Sequence, residues 1–279
     1  MSNLREHAVE LARQGADQAA YIFLQKAVKD GDVYASNDLG VLMERHECYK
    51  EAYNFYCFAW EHKVPVAAYN LGNLYLRGLG VEQNYEEAVK YFTYAAEAKY
   101  APAFDSLSVM AHKGQGMEKS DEKSFEYILS GIDYEDKKNP ILSNNAAFYY
   151  ESGIGTAVDE NKSFELYKRA AKYDKECSTY NLGLCYLFGK GTKVNVNKAI
   201  DLLLTACENK YPDAFYQLFK IYYEGKCVEK NNMLAFSFLY RGLDLDSPRC
   251  HLAMANIYDG TDNPENEPNH LVSLKALRY

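Results

Sequence analysis

Apolar side chains recur at helical intervals along most of the chain. In the segment AAYNLGNLYLRG, residues 67–78, the side chains of Ala68, Leu71 and Leu74 fall on one face of a helix. This spacing of three and four residues predicts an amphipathic helix with one buried face. A second apolar stripe follows in YEEAVKYFTYAAEA, residues 85–98, and predicts a second helix. Together the two segments predict a helix–turn–helix unit.

A pair of glycines marks the turn between the two predicted helices. In the first clear copy the pair is Gly78 and Gly80, and its first glycine returns at intervals of 35 to 39 residues. The later copies of this first glycine are Gly114, Gly153, Gly189, Gly225 and Gly260. A period of this length is typical of stacked helix pairs, in which each unit buries its apolar face against its neighbours.

Small residues recur at two positions of each second helix. Ten residues after the turn glycine, the chain holds Ala88, Ser124, Ser163, Ala199 and Ala235. Seventeen residues after it, the chain holds Ala95, Gly131, Ala170, Ala206 and Gly242. Small side chains let two helices approach closely, so both positions are predicted on the packed face. The same spacing places earlier copies at Ala52 and Ala59, and at Ala20 and Ala27.

The repeats predict an all-α fold, a right-handed α-solenoid of about seven to eight helix–turn–helix units. No boundary between compact domains is evident, so residues 1–279 are predicted to form a single solenoid domain. The approximate repeats are 1–32, 33–66, 67–102, 103–140, 141–176, 177–212, 213–247 and 248–279.

Two stretches depart from the regular repeat. An insertion near Lys137–Asn139 lengthens one connection between repeats. The tail from Gly260 carries two prolines and then a short amphipathic stretch, which predicts a C-terminal cap. Alternatively, the leucines of this stretch form an exposed docking face. They are Leu271, Leu274 and Leu277.

Two copies resemble the Sel1-like repeat closely. They are YNLGNLYLRGLGVEQNYEEAVKYFTYAAEA, residues 69–98, and YNLGLCYLFGKGTKVNVNKAIDLLLTAC, residues 180–207. Sel1-like repeats are similar to tetratricopeptide repeats but have a longer turn that carries Gly-x-Gly-Val. The resemblance covers nearly the whole chain. It implies the solenoid fold and a general role as a protein-binding scaffold, without naming a partner.

Composition narrows the classes of partner. The formal net charge of −8 argues against binding to nucleic acid or to anionic membranes. The amino terminus lacks the features of a signal peptide and no apolar run is long enough to span a membrane, so we predict a cytoplasmic protein. The sequence does not fix the oligomeric state, and we favour a monomer.

The sequence shows no arrangement typical of a catalytic or cofactor site. The glycine pair does not form a dinucleotide loop, since position 83 is Gln, and Lys190 is followed by Gly191 rather than by Ser or Thr of a phosphate-binding loop. The six His and seven Cys lack metal-ligand spacing. We therefore predict no catalytic residues, no cofactor and no metal. A remote alternative is a hydrolase of the cysteine-rich Sel1-like type, whose disulfide spacing Cys177 and Cys185 resemble.

The candidate partner-binding residues come from the first helices. In tetratricopeptide repeats, the position equivalent to Tyr69, Tyr180 and Tyr216 faces the concave groove, and the resemblance implies the same here. Extending the alignment gives the predicted concave row, which is Asn37, Val41, Tyr69, Asn73, Asp105, Val109, Asn144, Phe148, Tyr180, Leu184, Tyr216, Lys220 and His251. Exposed aromatic side chains are common at protein-binding surfaces.

These residues predict a non-catalytic scaffold or adaptor that binds a protein or peptide partner on the concave face of the solenoid. An alternative is a bacterial immunity or inhibitor protein that neutralises a basic toxin or effector. The acidic net charge would then speed association with the basic partner.

Overall fold

The computed structural model describes residues 2–136, 140–174 and 176–258. Within these residues all regular secondary structure is helical, which confirms the predicted all-α fold class. The predicted insertion at 137–139 and the predicted cap from Gly260, with Leu271, Leu274 and Leu277, lie outside the described residues.

Fifteen α-helices and one short 3₁₀ turn, Ile132–Tyr134, form this part of the chain. The helices are α1 Ser2–Arg13, α2 Asp17–Lys29, α3 Val33–Arg45, α4 Tyr49–Glu61, α5 Pro65–Arg77, α6 Tyr85–Glu97, α7 Ala101–Lys113, α8 Asp121–Gly131, α9 Ile141–Ser152, α10 Glu160–Ala170, α11 Cys177–Phe188, α12 Val196–Glu208, α13 Pro212–Glu224, α14 Asn232–Leu243 and α15 Pro248–Tyr258. We call the odd-numbered helices first helices and the even-numbered helices second helices.

The chain divides into two compact units. Unit 1 is Met1–Leu166 and unit 2 is Tyr167–Tyr279, so the division falls within α10. In unit 1, α1 packs against α2, α3 against α4, α5 against α6 and α7 against α8. In unit 2, α11 packs against α12 and α13 against α14, and α15 packs against both α13 and α14. Each unit is therefore a stack of helix pairs, and the single domain over residues 1–279 stays a prediction.

The first glycine of each turn ends a first helix. Gly78 has a φ of 68° in the left-handed region, and its N–H donates to the carbonyl of Leu74. Glycine adopts this conformation without the steric cost that a side chain brings. The following second helix begins at a side-chain cap, since the amide oxygen of Asn84 accepts from the N–H of Glu87 at 3.1 Å. The glycine pair is thus part of a helix–helix turn.

The second glycine of the turn contacts the preceding repeat. A Cβ on Gly80 would lie 2.6 Å from the backbone carbonyl carbon of Tyr49, the first residue of α4. Gly116 lies in the same way against the backbone of Tyr85, and Gly155 against that of Asp121. Both of these are also the first residues of second helices. The missing side chain therefore allows successive repeats of unit 1 to approach.

The small residues of the second helices lie in the core of each unit. Those at the two predicted positions are all buried, among them Ala88, Ala95, Ala199 and Ala206. A first helix also has a small residue at a point where an aromatic ring of the second helix packs closely against its backbone. A Cβ on Gly72 would meet the ring of Phe92, for example. The spacing that predicted helix packing from the sequence therefore identifies buried positions in both units.

Candidate functional site

A left-handed residue lies just before five of the first helices, α3, α5, α7, α13 and α15. These residues are Gly31, Lys63, Lys99, Lys210 and Asp246. Six residues after each lies what we call the sixth position, which holds Asn37, Tyr69, Asp105, Tyr216 and Leu252. Four residues later lies the tenth position, which holds Val41, Asn73, Val109, Lys220 and Asn256. In α9 and α11 these positions are counted back from the turn glycine, nine and five residues before Gly153 and Gly189, which gives Asn144 with Phe148 and Tyr180 with Leu184. The residues of the predicted row therefore lie at equivalent counts along first helices, except for one residue at the end of the row, and their place on a concave face stays a prediction.

The exception is the predicted row residue His251. Counted from Asp246, the sixth position of α15 is Leu252, which is 63% exposed, and His251 is its neighbour. The imidazole of His251 lies 3.7 Å from the carboxylate of Asp246. The prediction counted from Gly260, whereas the register of α15 is set by a left-handed Asp246 that the glycine pattern does not reveal.

The two positions differ in exposure. At the sixth position, Asn37 and Tyr180 are buried, and the other predicted members are partly buried. These are Tyr69, Asp105, Asn144 and Tyr216. At the tenth position, Val41, Val109 and Phe148 are 44%, 40% and 48% exposed, Lys220 is exposed, and Asn73 and Leu184 are partly buried. The tenth position is therefore the more accessible half of the row.

The predicted tyrosine ladder takes part in packing within the units. The ring of Tyr69 lies 5.5 Å from that of Phe92 and 5.2 Å from that of Tyr100. The ring of Tyr180 lies 5.1 Å from that of Tyr211, and burial raises the pKa of Tyr180 to about 12. Tyr180 therefore offers little surface, while Tyr69 and Tyr216 stay partly accessible.

Amide side chains connect successive first helices of unit 1. Asn70 Nδ2 donates to Asn37 Oδ1 at 2.9 Å, and Asn145 Nδ2 donates to Asp105 Oδ1 at 2.7 Å. The donor is the residue just after a row residue, as in Tyr69–Asn70. The sequence prediction missed Asn70 and Asn145. The only sequence signal was an Asn next to the row, and its partner is identified only by the stacking of the helices.

Two residues of the predicted row, Asp105 and Val109, line one cleft of about 310 Å³ in unit 1. Its lining includes Leu76, Tyr85, Asp105, Val109, Met110 and Lys113. Burial raises the pKa of the Asp105 carboxyl, and the hydrogen bond from Asn145 opposes this shift. No Lys, Arg or His of the described chain forms an ion pair with Asp105. The cleft thus holds a partly buried carboxylate beside apolar side chains.

A second cleft, of about 420 Å³, lies between α13 and α15 in unit 2. Its lining includes Tyr216, Phe219, Lys220, Tyr223, Arg249 and Leu252. The cations here have partners within the unit, since Lys220 lies 3.7 Å from Glu224 and Arg249 lies 3.6 Å from Asp213. This cleft therefore offers aromatic surface and charges that are already paired.

The described residues also bear on three further features: a metal site, a reactive cysteine and a membrane-spanning helix. Among them, no three His, Cys, Asp or Glu side chains are grouped so as to hold a metal ion. None of the seven cysteines, which all lie within the described ranges, forms a disulfide there, and this includes Cys177 and Cys185. Burial raises the pKa of Cys207 to about 12, which leaves its thiol protonated and a poor nucleophile at neutral pH. In the described part of the chain, each helix is too short or too polar to cross a membrane.

Solved structures share this architecture. A Sel1 repeat protein from Oxalobacter formigenes is 25% identical, with a TM-score of 0.75 over 86% of this chain and 98% of its own. A protective antigen of uropathogenic Escherichia coli strains is 21% identical, with a TM-score of 0.70 over 91% of this chain. This chain spans 59% of that antigen, so the likeness shows the fold alone. No curated protein sequence matches the chain.

The family model for the Sel1 repeat matches five segments of the chain. They are residues 65–100, 106–133, 143–172, 178–211 and 212–247. These segments cover more than half of the chain, and four of them fall on the helix pairs described above, which are α5–α6, α7–α8, α11–α12 and α13–α14. The sequence resemblance is therefore confirmed, and the chain belongs to the Sel1 repeat family.

Proposed function

We propose that this protein is a non-catalytic scaffold that binds an extended segment of a protein partner along the first helices. The observation that carries the proposal is the exposure of Val41, Val109 and Phe148, three apolar side chains of the tenth position in unit 1. They lie on α3, α7 and α9, three first helices of unit 1. Repeated apolar contacts of this kind suit a partner segment that crosses several repeats.

The sixth and tenth positions have complementary roles in this proposal. The tenth position supplies apolar area that loses water on binding. The sixth position supplies polar groups held in place, because Asn37 and Asp105 are fixed by Asn70 and Asn145. A surface whose side chains are already ordered loses little conformational entropy when a partner binds. Tyr69 and Tyr216 add partly accessible aromatic area in their own units.

The net charge of −8 favours a basic partner. The narrower hypothesis, an inhibitor of a basic toxin, stays a prediction, as do the cytoplasmic location and the monomeric state. The family resemblance supports protein binding in general and names no partner.

Selection of random dodecapeptides displayed on phage against the full-length protein tests this proposal. In one triple variant, Val41, Val109 and Phe148 are each changed to Ser. We expect selected peptides to lose at least about tenfold in affinity for it, which corresponds to about 1.4 kcal/mol. The matched control changes three exposed apolar residues of second helices in the same unit, Ile22, Phe58 and Leu129, to Ser.

The control should change affinity by less than about twofold, since it removes comparable apolar area from the other helices. Loss of binding in the control triple, with affinity kept in the first-helix triple, would place the binding surface elsewhere. Failure to select any peptide on the wild-type protein would contradict peptide binding altogether. Circular dichroism and thermal unfolding of both triples establish that each is folded.

A further inference from the structure

The carboxylate of Asp105, on the first helix α7, lies in the cleft of unit 1. It is held in unit 1 with one amide donor, Asn145 Nδ2 at 2.7 Å, and no cation of the described chain pairs with it. An ionised carboxylate has about four acceptor sites, and burial without a positive partner is costly. Asp105 therefore keeps free acceptor capacity on the wall of the 310 Å³ cleft.

A neutral amide makes the same kind of hydrogen bond at the equivalent position of another first helix. At the sixth position of α3, the neutral amide oxygen of Asn37 accepts from Asn70 at 2.9 Å. In α7, the carboxylate of Asp105 accepts from Asn145 in the same manner. Both contacts connect first helices of unit 1, so an amide is sufficient for the structural hydrogen bond. The hydrogen bond to Asn145 therefore does not by itself explain why this position carries a negative charge.

The surroundings of Asp105 define what would fit beside it. Val109, one turn along α7, is 40% exposed, and Leu76 and Met110 add apolar surface to the cleft. Lys113 lines the same cleft but is exposed and forms no ion pair with Asp105. The methylene stem of a Lys or Arg side chain packs on apolar surface while its head reaches a carboxylate.

We propose that the cleft of unit 1 accepts a Lys or Arg side chain of the protein partner, with its cation on Asp105 and its stem, or an adjacent apolar residue, on Val109. This inference rests on the proposed function and adds the chemistry of one contact. The partner cation provides the charge pairing that Asp105 lacks among the described residues. The unit 2 cleft differs in this respect, because the carboxylates near it already have cations: Glu224 pairs with Lys220, and Asp213 pairs with Arg249.

A double-mutant cycle with selected dodecapeptides tests the contact. Peptides are selected on the full-length wild-type protein, and each Lys or Arg in them is changed in turn to Gln. The protein is changed at Asp105→Asn, which keeps the hydrogen bond to Asn145 as Asn37 does with Asn70. The matched control is Asp133→Asn, which removes the same charge from an exposed site in unit 1.

One basic residue of the peptides should couple to Asp105. Its change to Gln and the Asp105→Asn change should each weaken binding about tenfold, and both together should weaken it little further. Asp133→Asn should change affinity less than about twofold, which separates the contact from the general effect of net charge.

The results distinguish this inference from the proposed function. Equal affinity of wild type and Asp105→Asn, or losses that simply add, would overturn the inference. If the Ser triple at Val41, Val109 and Phe148 still abolishes binding in that case, the scaffold proposal survives alone. If no peptide binds the wild-type protein, both proposals fail.

Discussion

The clefts of the two units are built on the same helical frame but have different chemistry. Each includes a sixth-position and a tenth-position side chain of one first helix, Asp105 with Val109 in unit 1 and Tyr216 with Lys220 in unit 2. In unit 1 the charge of Asp105 has no cation within the described chain, while in unit 2 Lys220 pairs with Glu224. The repeat therefore fixes the positions of these side chains, and the sequence of each copy fixes their chemistry.

One turn of unit 2 differs from the turns of unit 1 in a similar way, while the turn between α11 and α12 of unit 2 keeps its second glycine, Gly191, with a φ of 63°. In unit 1 the second turn glycine, such as Gly116, lies against the backbone of the preceding second helix. In the turn between α13 and α14 of unit 2 this position holds the exposed Cys227. The close approach between repeats thus depends on glycine in unit 1, and the last described turn of unit 2 has a side chain instead.

The largest expected effect comes from Gly116→Ala. Its Cβ would overlap the backbone of Tyr85, and the residue has a φ of 69°, so we expect the free energy of unfolding to fall by about 3 kcal/mol. Denaturation in urea, followed by circular dichroism, measures the change. Cys227→Ala in unit 2 is the control and should change stability by less than about 0.5 kcal/mol. Equal effects of the two substitutions would remove the difference between the turns.

The second comparison concerns one position of the second helices, which is Ser in two repeats of unit 1 and Ala199 or Ala235 in unit 2. Ser124 Oγ lies 2.6 Å from the hydroxyl of Tyr149 and donates to the carbonyl of Ser108, whereas the hydroxyl of Ser163 is buried without a partner.

Ser124→Ala should therefore cost about 1–3 kcal/mol of unfolding free energy, because it breaks a buried network. Ser163→Ala should instead stabilise the protein by about 1 kcal/mol, because it removes an unsatisfied hydroxyl. Thermal unfolding of the two variants and the wild type measures both. Destabilisation by Ser163→Ala of the same size as by Ser124→Ala would mean that this hydroxyl is satisfied.

The smallest effect is a pH dependence at Asp105. Burial raises its pKa in the folded state, so ionisation costs stability above the folded pKa. The cost disappears as the pH falls through that pKa towards the ordinary value of about 3.9. The wild-type protein should therefore gain stability relative to Asp105→Asn when the pH falls from 7 to 4, as measured by the two free energies of unfolding. Asp133→Asn is the control, and a shift in the opposite direction would contradict burial of the charge.

Local pattern was sufficient for the fold class and for the helical positions of the residues in the candidate row. The positions of Val41, Val109 and Phe148 follow from helical spacing and from the repeat of about 36 residues. Their exposure did not follow, because the same pattern also selected Asn37 and Tyr180, which are buried. Equivalent positions in a repeat share a direction, but their neighbours decide how much surface remains.

The sequence by itself determined the all-α class, the helix–turn–helix period, the packed faces and the turn role of the glycines. These features arise from spacing within a repeat, and spacing is visible along the chain. Only the tertiary structure decided that Asn145 meets Asp105, that Leu252 rather than His251 occupies the sixth position of α15, and that Asp105 has no cation within the described chain. The surroundings of Asp105 depend on residues from different repeats, whose side chains meet only when the helices stack, and the position of Leu252 depends on the left-handed backbone of Asp246.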